Sequence, residues 1–203
     1  MIRLVVSGTD TGIGKTVLSA AIAATATVPY WKPIQSGLVE GEDVNAAAAL
    51  GARHVRPSTY RLSQPLSPHR AAELDGVTID FDQLVVPAGA IVIEGAGGVL
   101  TPVTREILFA DLFANWNIPV LLVARTSLGT INHSLLSIEA LRARRVPILG
   151  IAFVGDHNGD NESTIATMGR VRRLGRLPWL DPLNAARLAQ AFTSEFRIED
   201  FEL

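Results

Sequence analysis

The sequence contains no cysteine, which excludes disulfides, thiolate metal sites and cysteine nucleophiles. It also lacks an apolar stretch approaching the roughly 18 residues that a membrane-spanning helix needs. An excess of one charge sign is absent too, since 18 basic and 20 acidic residues give a net charge of −2. This balance argues against non-specific nucleic-acid binding and a membrane-surface role, so neither partner is expected. The N-terminus begins directly with an apolar run, residues 2–6, which leaves no room for a cleaved signal, and we expect a cytoplasmic protein.

What the chain does contain is a regular alternation of short apolar runs and helical segments. We expect a single domain spanning residues 1–203, because this length can bury a large core. The apolar runs are continuous, which is typical of strands covered on both faces. The pattern predicts an α/β fold, with a mostly parallel sheet flanked by helices on both faces. The predicted strands cover residues 4–6, 30–32, 90–94, 120–124, 149–154 and 174–177, and the predicted helices residues 15–25, 43–50, 108–114, 132–144, 162–173 and 184–192.

A glycine-rich turn follows the first predicted strand and ends in Gly14-Lys15-Thr16, where the first helix begins. In this context backbone N–H groups of the loop can bind a polyphosphate, Lys15 can contact its β- and γ-phosphates, and the Thr16 hydroxyl can ligate Mg²⁺. The usual pattern has four residues between its first glycine and the Gly-Lys-Thr, whereas five separate Gly8 from Gly14. A tight strand-to-helix turn is the alternative. The Lys-Thr ending favours a nucleotide, and hence a P-loop NTPase-type fold.

Charged residues end the second and third predicted strands, at the edge where parallel α/β sheets bind ligands. Lys32 closes the second strand, and Ser36 lies in the turn after it; a lysine that only packs its stem along the sheet edge is the alternative. Asp43 begins the next helix, where it either caps the helix or ligates Mg²⁺. Glu94 ends the third strand, a costly position unless its carboxylate is paired or metal-bound. The glycine-rich segment from Gly95 permits close approach of a ligand, although a flexible turn has the same composition.

Later strand ends supply two further candidate sites. Thr130 is predicted to cap the helix after the fourth strand, and free backbone donors there suit a carboxylate or phosphate, although simple capping explains the composition almost as well. Residues 155–156 and 178–180, after the fifth and sixth strands, occupy positions that commonly flank a purine base. His69 and His133 have neither zinc-site spacing nor a triad partner, which favours structural or solvent-facing roles.

Taken in order, these segments resemble the dethiobiotin synthetase family, whose members use ATP to close the ureido ring in biotin synthesis. The resemblance runs nearly end to end, and the longer phosphate loop is this family's own variant. The motifs that carry it are residues 8–16 (GTDTGIGKT), 32–37 (KPIQSG), 67–69 (SPH), 94–98 (EGAGG), 109–111 (FAD), 128–133 (LGTINH) and 178–180 (PWL).

The resemblance implies a ligase that converts 7,8-diaminononanoate, CO₂ (or bicarbonate) and MgATP into dethiobiotin, ADP and phosphate. In that chemistry one amine captures CO₂ as a carbamate, and a carbamate oxygen attacks the γ-phosphate. The second amine then closes the ring on the resulting carbamic–phosphoric anhydride. The family also implies a homodimer in which the substrate carboxylate is bound by the other subunit.

The resemblance also implies roles for individual residues. Lys15, Lys32, Thr11 and Ser36 are implied to be catalytic, and Thr16, Asp43 and Glu94 to hold Mg²⁺. The implied substrate contacts are Thr11, Lys32, Ser36, Gly129, Thr130, Ile131 and Asn132. The implied ATP contacts are Gly12, Ile13, Gly14, Lys15, Thr16, Val17, Asp43, Glu94, Gly95, Ala96, Gly97, Gly155, Asp156, Pro178, Trp179 and Leu180.

The sequence departs from the family pattern at two positions and leaves two other functions to consider. Gly12 and Gly155 lack side chains that relatives use, and the missing amide at Gly155 leaves the nucleotide preference open. A related amidoligase normally adds a glutaminase domain with a cysteine nucleophile, and this chain has neither the length nor the cysteine. A partition- or division-type switch ATPase carries an early lysine in its phosphate loop, absent from residues 9–14, and the acidic residues 195–203 suit neither DNA nor a membrane.

Overall fold

A computed structural model describes residues 1–202 of the chain. Within these residues, no helix combines the length and apolarity needed to cross a bilayer. The strands are β1 Arg3–Gly8, β2 Tyr30–Trp31, β3 Ile34–Ser36, β4 Val55–Arg56, β5 Tyr60–Leu62, β6 Ile91–Gly98, β7 Val120–Arg125, β8 Ile148–Val154 and β9 Arg173–Leu177. The α-helices are α1 Lys15–Ala26, α2 Asp43–Ala49, α3 Pro68–Asp75, α4 Phe109–Trp116, α5 Thr130–Ala143, α6 Gly159–Gly169 and α7 Ala185–Glu195, with 3₁₀ turns at Leu38–Glu40, Phe81–Gln83 and Ile198–Phe201.

Seven strands form one sheet in the order β4-β2-β6-β1-β7-β8-β9, and each of its strand pairings is parallel. The predicted parallel α/β architecture is therefore confirmed. β1 lies at the centre, between β6 and β7, so the loop that follows it opens at the middle of the carboxyl edge. Strands β3 and β5 form a separate parallel pair.

The sheet is covered on both faces, as the continuous apolar strands predict. Along β1, Val5 belongs to one buried cluster, whereas Leu4 and Val6 belong to the other. Because successive side chains of a strand point to opposite faces, these two clusters are the two helix–sheet layers. The first layer contains side chains from α3, α4, α5 and α6, and the second contains side chains from α1, α2 and α7.

Several predicted boundaries differ from the structure for local reasons. The predicted helix 162–173 begins earlier, because the Asn158 side chain caps α6 by accepting from the Asn161 N–H at 3.1 Å. It also ends earlier, at Gly169, because Arg170 adopts a left-handed φ of 48° and terminates it. The predicted capping role of Thr130 is wrong: Gly129 is the N-cap and Thr130 is the first residue of α5.

Several short elements give no sequence signal, and one strand is longer than predicted. Strands β3, β4 and β5 have only two or three residues each, too few to give a periodic signal. The helix α3, which begins at Pro68, was not predicted either. Strand β6 continues past Glu94 to Gly98, which pairs with Gly8 of β1, so the glycine-rich segment is strand rather than flexible turn.

Candidate active site

The glycine-rich loop leads from β1 directly into α1 at the centre of the carboxyl edge. Gly14, the N-cap of α1, has a φ of +93°, and an added Cβ there would lie 3.0 Å from Val154 Cγ1. Both facts require glycine at this turn. No side chain of residues 1–202 caps this N-terminus. The first N–H groups of α1 are therefore left for an anion, as a phosphate loop requires.

Three oxygen-bearing side chains meet beside this loop. The Thr16 Oγ1 lies 3.0 Å from Asp43 Oδ1 and 2.9 Å from Glu94 Oε1. A hydroxyl has one proton and can donate to only one of these carboxylates at a time. Glu94 ends up 1% exposed, whereas the Asp43 side chain is 31% exposed. We call Thr16, Asp43 and Glu94, together with Lys15 and Lys32, the charged centre.

Lys32 lies between the two carboxylates. Its Nζ forms an ion pair with Asp43 Oδ2 and donates to Glu94 Oε1 at 3.1 Å, and the residue is only 6% exposed. Burial works to lower the pKa of Lys32, but the Glu94 and Asp43 carboxylates outweigh it and raise that pKa above its ordinary value. The Lys32 ammonium is thus held in its charged form between the Asp43 and Glu94 carboxylates.

Lys15 is equally buried but differently paired. Its Nζ donates to the backbone oxygen of Asp10 at 2.7 Å, an uncharged partner. Burial, opposed by the Glu94 and Asp43 carboxylates and reinforced by the nearby Lys32 charge, lowers the pKa of Lys15 to about 8. An incoming phosphate would reverse this, because an adjacent anion favours the protonated amine.

Two buried side chains that the sequence analysis did not single out complete the charged centre. The Tyr30 hydroxyl donates to Glu94 Oε2 at 2.9 Å, so both carboxylate oxygens of that residue accept hydrogen bonds. Gln35 Oε1 accepts from the Asp43 N–H at 3.1 Å and orients the first turn of α2. Gln35 lies inside the predicted KPIQSG segment, which was the available signal; Tyr30 reads as an ordinary core residue of a strand.

The oxygen set fits Mg²⁺. Hard oxygen donors are the ligands this ion prefers, and it commonly keeps water or phosphate oxygens in its remaining positions. Among residues 1–202 there is no group of three or more histidine, cysteine, aspartate or glutamate side chains that could hold a metal. Two carboxylates and a hydroxyl therefore suit an ion that is shared with a nucleotide better than one fully caged by protein.

A cleft of about 490 Å³ opens beside the phosphate loop. It is lined by Thr9, Asp10, Thr11, Ser67, Gly98, Val99, Leu100, Thr101, Pro102, His133, Leu136 and Ser137. Thr11 is the predicted substrate residue in this lining, whereas Ser36 and Lys32 lie outside it. The Ser36 hydroxyl is buried and has no hydrogen-bond partner among residues 1–202.

The predicted carboxylate-binding segment, residues 129–132, forms the start of α5. The Thr130 hydroxyl donates to the backbone oxygen of Arg125 at 2.5 Å, so its side chain is engaged within the subunit. Ile131 is half-buried and Asn132 is exposed. This helix borders the cleft through His133, Leu136 and Ser137, which follow the predicted segment, rather than through the predicted residues themselves.

The predicted base-binding residues lie at the ends of β8 and β9. Gly155 has a φ of +133°, and a Cβ added to it would lie 2.5 Å from Thr126 Oγ1 and 3.6 Å from Trp179 Nε1. Gly155 and Trp179, two of the predicted residues, therefore lie close together. Trp179 is 65% exposed, Asp156 is exposed, and Pro178 and Leu180 are half-buried.

An ion network around the buried Glu162 carboxylate supports the backbone at the end of β8. Glu162 is 1% exposed and accepts from Arg173 Nε at 2.7 Å. Arg176 lies 3.9 Å from the same carboxylate and donates to the Gly155 backbone oxygen at 2.9 Å. The network holds the backbone at Gly155. Glu162 lies on α6 and both arginines lie on β9, and no local sequence pattern predicts that these side chains meet.

The remaining predicted ATP contacts lie around the phosphate loop and the end of β6. Residues 12–17 span the end of the loop and the first turn of α1. Within this segment Gly12 is exposed, Ile13 is buried and Val17 is half-buried. Gly95, Ala96 and Gly97 continue β6 directly after Glu94. The structure therefore brings these residues to the same edge as the charged centre.

Comparisons with known proteins agree with this geometry. A family described as an AAA domain matches residues 3–187. Curated relatives named ATP-dependent dethiobiotin synthetase BioD include one from Novosphingobium aromaticivorans, 58% identical over 205 residues, covering 99% of this chain and 100% of the relative. Another, from Sphingopyxis alaskensis, is 57% identical over 201 residues, covering 99% of this chain and 100% of the relative.

Solved structures with the same fold are far more distant in sequence. Chloroplast FtsY from Physcomitrella patens aligns with a TM-score of 0.52 at 16% identity, covering 93% of this chain and 63% of that one. A ParA family ATPase from Chlorobium tepidum aligns with a TM-score of 0.51 at 13% identity, covering 95% and 91%. At such identities the likeness shows the fold alone.

Proposed function

Because the chain belongs to the ATP-dependent dethiobiotin synthetase family, we propose that it carboxylates 7,8-diaminononanoate and closes the ring to dethiobiotin, with release of ADP and phosphate. The observation that carries the proposal is the charged centre. Two buried lysines and two carboxylates converge there, beside a loop whose backbone N–H donors have no side-chain cap and are open to an anion. Nearly full-length identity above one half supports the same substrate.

The reaction divides into three steps. An amine nitrogen of the diamine attacks CO₂ and loses a proton, which gives a carbamate. A carbamate oxygen attacks the γ-phosphorus, and the bond to the β–γ bridging oxygen breaks as ADP leaves. The second amine then attacks the carbamoyl carbon and expels phosphate, which closes the ring.

The protein contributes positioning and charge compensation rather than a covalent intermediate. Lys32, charged and buried, is placed to stabilise the carbamate and the transferring phosphoryl group. The Lys15 ammonium, which donates to the Asp10 backbone oxygen, is placed to exchange that partner for the β- and γ-phosphates of ATP. Carbamate and triphosphate bring more negative charge than one lysine can offset, and each cation counts for more in a water-poor cleft.

Thr16, Asp43 and Glu94 are the residues that would hold Mg²⁺. The ion, when bound, neutralises phosphate oxygens without any proton transfer. Tyr30 and Gln35 hold Glu94 and Asp43 in place, and such supporting contacts set the orientation of metal ligands.

The two ends of the diamine are assigned by different observations. Thr11 lines the cleft beside the loop, and the Ser36 hydroxyl is buried with no partner among residues 1–202, which supports roles at the carbamate end. The carboxylate end is assigned to Gly129, Thr130, Ile131 and Asn132 of a second subunit, in a homodimer. Exposure of Asn132 is compatible with contact across an interface.

The nucleotide is assigned along the edge from α1 to β9. Backbone groups of residues 12–17 would bind its phosphates, with residues 95–97 alongside. The base would lie near Gly155, Asp156 and residues 178–180. We further propose a single domain over residues 1–203 and a cytoplasmic location.

The test is a phosphate-release assay with Mg²⁺, ATP and carbon-13 bicarbonate, with and without the diamine. Diamine-dependent release and labelled dethiobiotin in the mass spectrum are the expected result. Thr16→Ala is expected to lose most turnover. The matched control Thr193→Ala removes an exposed hydroxyl that bonds only its own helix and should leave turnover unchanged. Release that ignores the diamine would overturn the proposal and favour a switch ATPase or another ligase.

A further inference from the structure

An ion pair joins the phosphate loop to β7, a neighbouring strand of the sheet. Arg125 is the last residue of β7, which pairs directly with β1. Its Nη2 forms an ion pair with Asp10 Oδ2 across 115 residues of sequence. The pair lies at the carboxyl edge, and Asp10 lines the cleft.

Asp10 is held at three points. Its Oδ1 accepts from the Thr11 N–H at 2.8 Å, its Oδ2 accepts from Arg125, and its backbone oxygen accepts from Lys15 Nζ at 2.7 Å. The conformation of Asp10 therefore sets where both the Thr11 backbone and the Lys15 ammonium lie. The Arg125 backbone oxygen meanwhile accepts from Thr130 and ties the same point to α5.

The Asp10 carboxylate lies in an electrostatically unfavourable position. The loop is built to receive a polyanion, and an unpaired Asp10 would add negative charge to the cleft that it lines. The pair is a poor candidate for a stabilising staple, because the Arg125 and Asp10 side chains are 37% and 46% exposed. Ion pairs exposed to that degree contribute little to folding stability.

We propose that Arg125 is a positioning residue for the nucleotide and carbamate site. It compensates the charge of Asp10 and fixes the loop from which Lys15 is delivered. The proposal rests on the proposed function for the identity of the substrates, but the ion pair's effect on nucleotide binding can be measured without them.

The experiment is a double-mutant cycle of Arg125→Gln, Asp10→Asn and the double variant. Asparagine keeps the oxygen that accepts from Thr11, so Asp10→Asn alone should be mild. Arg125→Gln leaves Asp10 unpaired, and we expect kcat/KM for ATP and the affinity for a non-hydrolysable ATP analogue to fall about tenfold. In the double variant both should return to within about threefold of Asp10→Asn, because the uncompensated charge is gone.

Two controls separate this role from others. Arg142→Gln removes the same charge from the exposed far end of α5, where Arg142 bonds the Arg170 backbone oxygen, and should bind nucleotide as wild type does. Arg125→Lys keeps the charge but loses the planar fork, and should rescue partially. The melting temperature of Arg125→Gln should stay within about 2 °C of wild type, which rules out a fold defect.

Two results would overturn the proposal. One is an analogue affinity of Arg125→Gln equal to that of Arg142→Gln. The other is a double variant whose loss is the product of the single losses, since that would mean that Arg125 acts independently of Asp10, for instance by touching the ligand. If wild type makes no dethiobiotin, only the proposed function fails, and the cycle on analogue affinity still decides the role of the pair.

Discussion

Replacing Lys32 by glutamine tests the charged centre most directly. Glutamine keeps a polar side chain whose NH₂ group can still donate hydrogen bonds, but it removes the positive charge held between Asp43 and Glu94. A unit charge about 4 Å from the reacting phosphoryl group, at an effective dielectric constant of about 20, is worth about 4 kcal/mol. That energy corresponds to roughly a thousandfold in rate. We therefore expect turnover to fall by about three orders of magnitude.

The same substitution should lower the stability of the protein, by an amount that depends on whether Mg²⁺ is present. Without Lys32, the 1% exposed Glu94 keeps only the Tyr30 and Thr16 hydroxyls as donors. Breaking a fully buried pair costs about 3–5 kcal/mol, and the 31% exposure of the Asp43 side chain reduces this to about 2 kcal/mol here. For a chain of this size the melting temperature should fall by about 5 °C. Added Mg²⁺ should recover more stability in the variant than in wild type, because it replaces the missing cation.

The assay combines diamine-dependent phosphate release with thermal unfolding in the presence and absence of Mg²⁺. Circular dichroism establishes that the variant is folded, and Arg142→Gln serves as the charge-matched surface control. Wild-type turnover in Lys32→Gln would remove this residue from the catalytic list. If Mg²⁺ raises the melting temperature of the variant no more than that of wild type, Mg²⁺ does not replace the Lys32 charge, and the two cations do not share the carboxylates of Asp43 and Glu94.

Three further predictions follow from single contacts. Gly155→Ala places a Cβ 2.5 Å from Thr126 Oγ1 at a φ of +133°, so stability should fall by about 1–3 kcal/mol in urea unfolding, with a raised KM for ATP; an unchanged KM would remove this loop from the base site. Glu162→Gln removes the 1% exposed carboxylate that pairs with Arg173 and Arg176, whose side chains are 42% and 14% exposed, and should cost about 1 kcal/mol by the same measurement; a neutral result would mean that the network contributes nothing. Burial would raise the pKa of Asp111, but hydrogen bonds from Arg144 and the backbone lower it below 3.8; Asp111→Asn should therefore melt below wild type at neutral pH, with the gap closing as the pH falls through the lowered value.

The sequence predicts the charged centre well because one geometric rule covers its members. Thr16 lies in the helix that follows β1 and Glu94 lies in β6, the parallel neighbour of β1, and the carboxyl-end regions of such strands meet at one edge. The costly burial of Glu94 was visible as an acid at the end of an apolar run. The oxygen set could therefore be predicted before any distance was known.

Other parts of the site depend on contacts that no local pattern reports. The Asp10–Arg125 pair forms because β7 lies beside β1, and strand order cannot be deduced from these two residues. Tyr30 looks like core until its hydroxyl is seen to reach Glu94 at 2.9 Å. Thr130 has the composition of an N-cap, yet the positive φ of Gly129 gives the preceding residue that role. The sequence carries the chemistry, and tertiary pairing decides how it is held.

Lysine and arginine are distributed differently between the charged centre and the rest of the chain. The chain has two lysines, Lys15 and Lys32, and both lie in the charged centre, whereas its other basic side chains are arginines. Arginine makes planar contacts at several points, as Arg105 does with Glu73 at 2.6 and 2.8 Å. A compact ammonium can move from a backbone oxygen or a carboxylate to an incoming phosphate without breaking a forked geometry. Arginine therefore suits the positioning role proposed for Arg125, and lysine suits the catalytic roles proposed for Lys15 and Lys32.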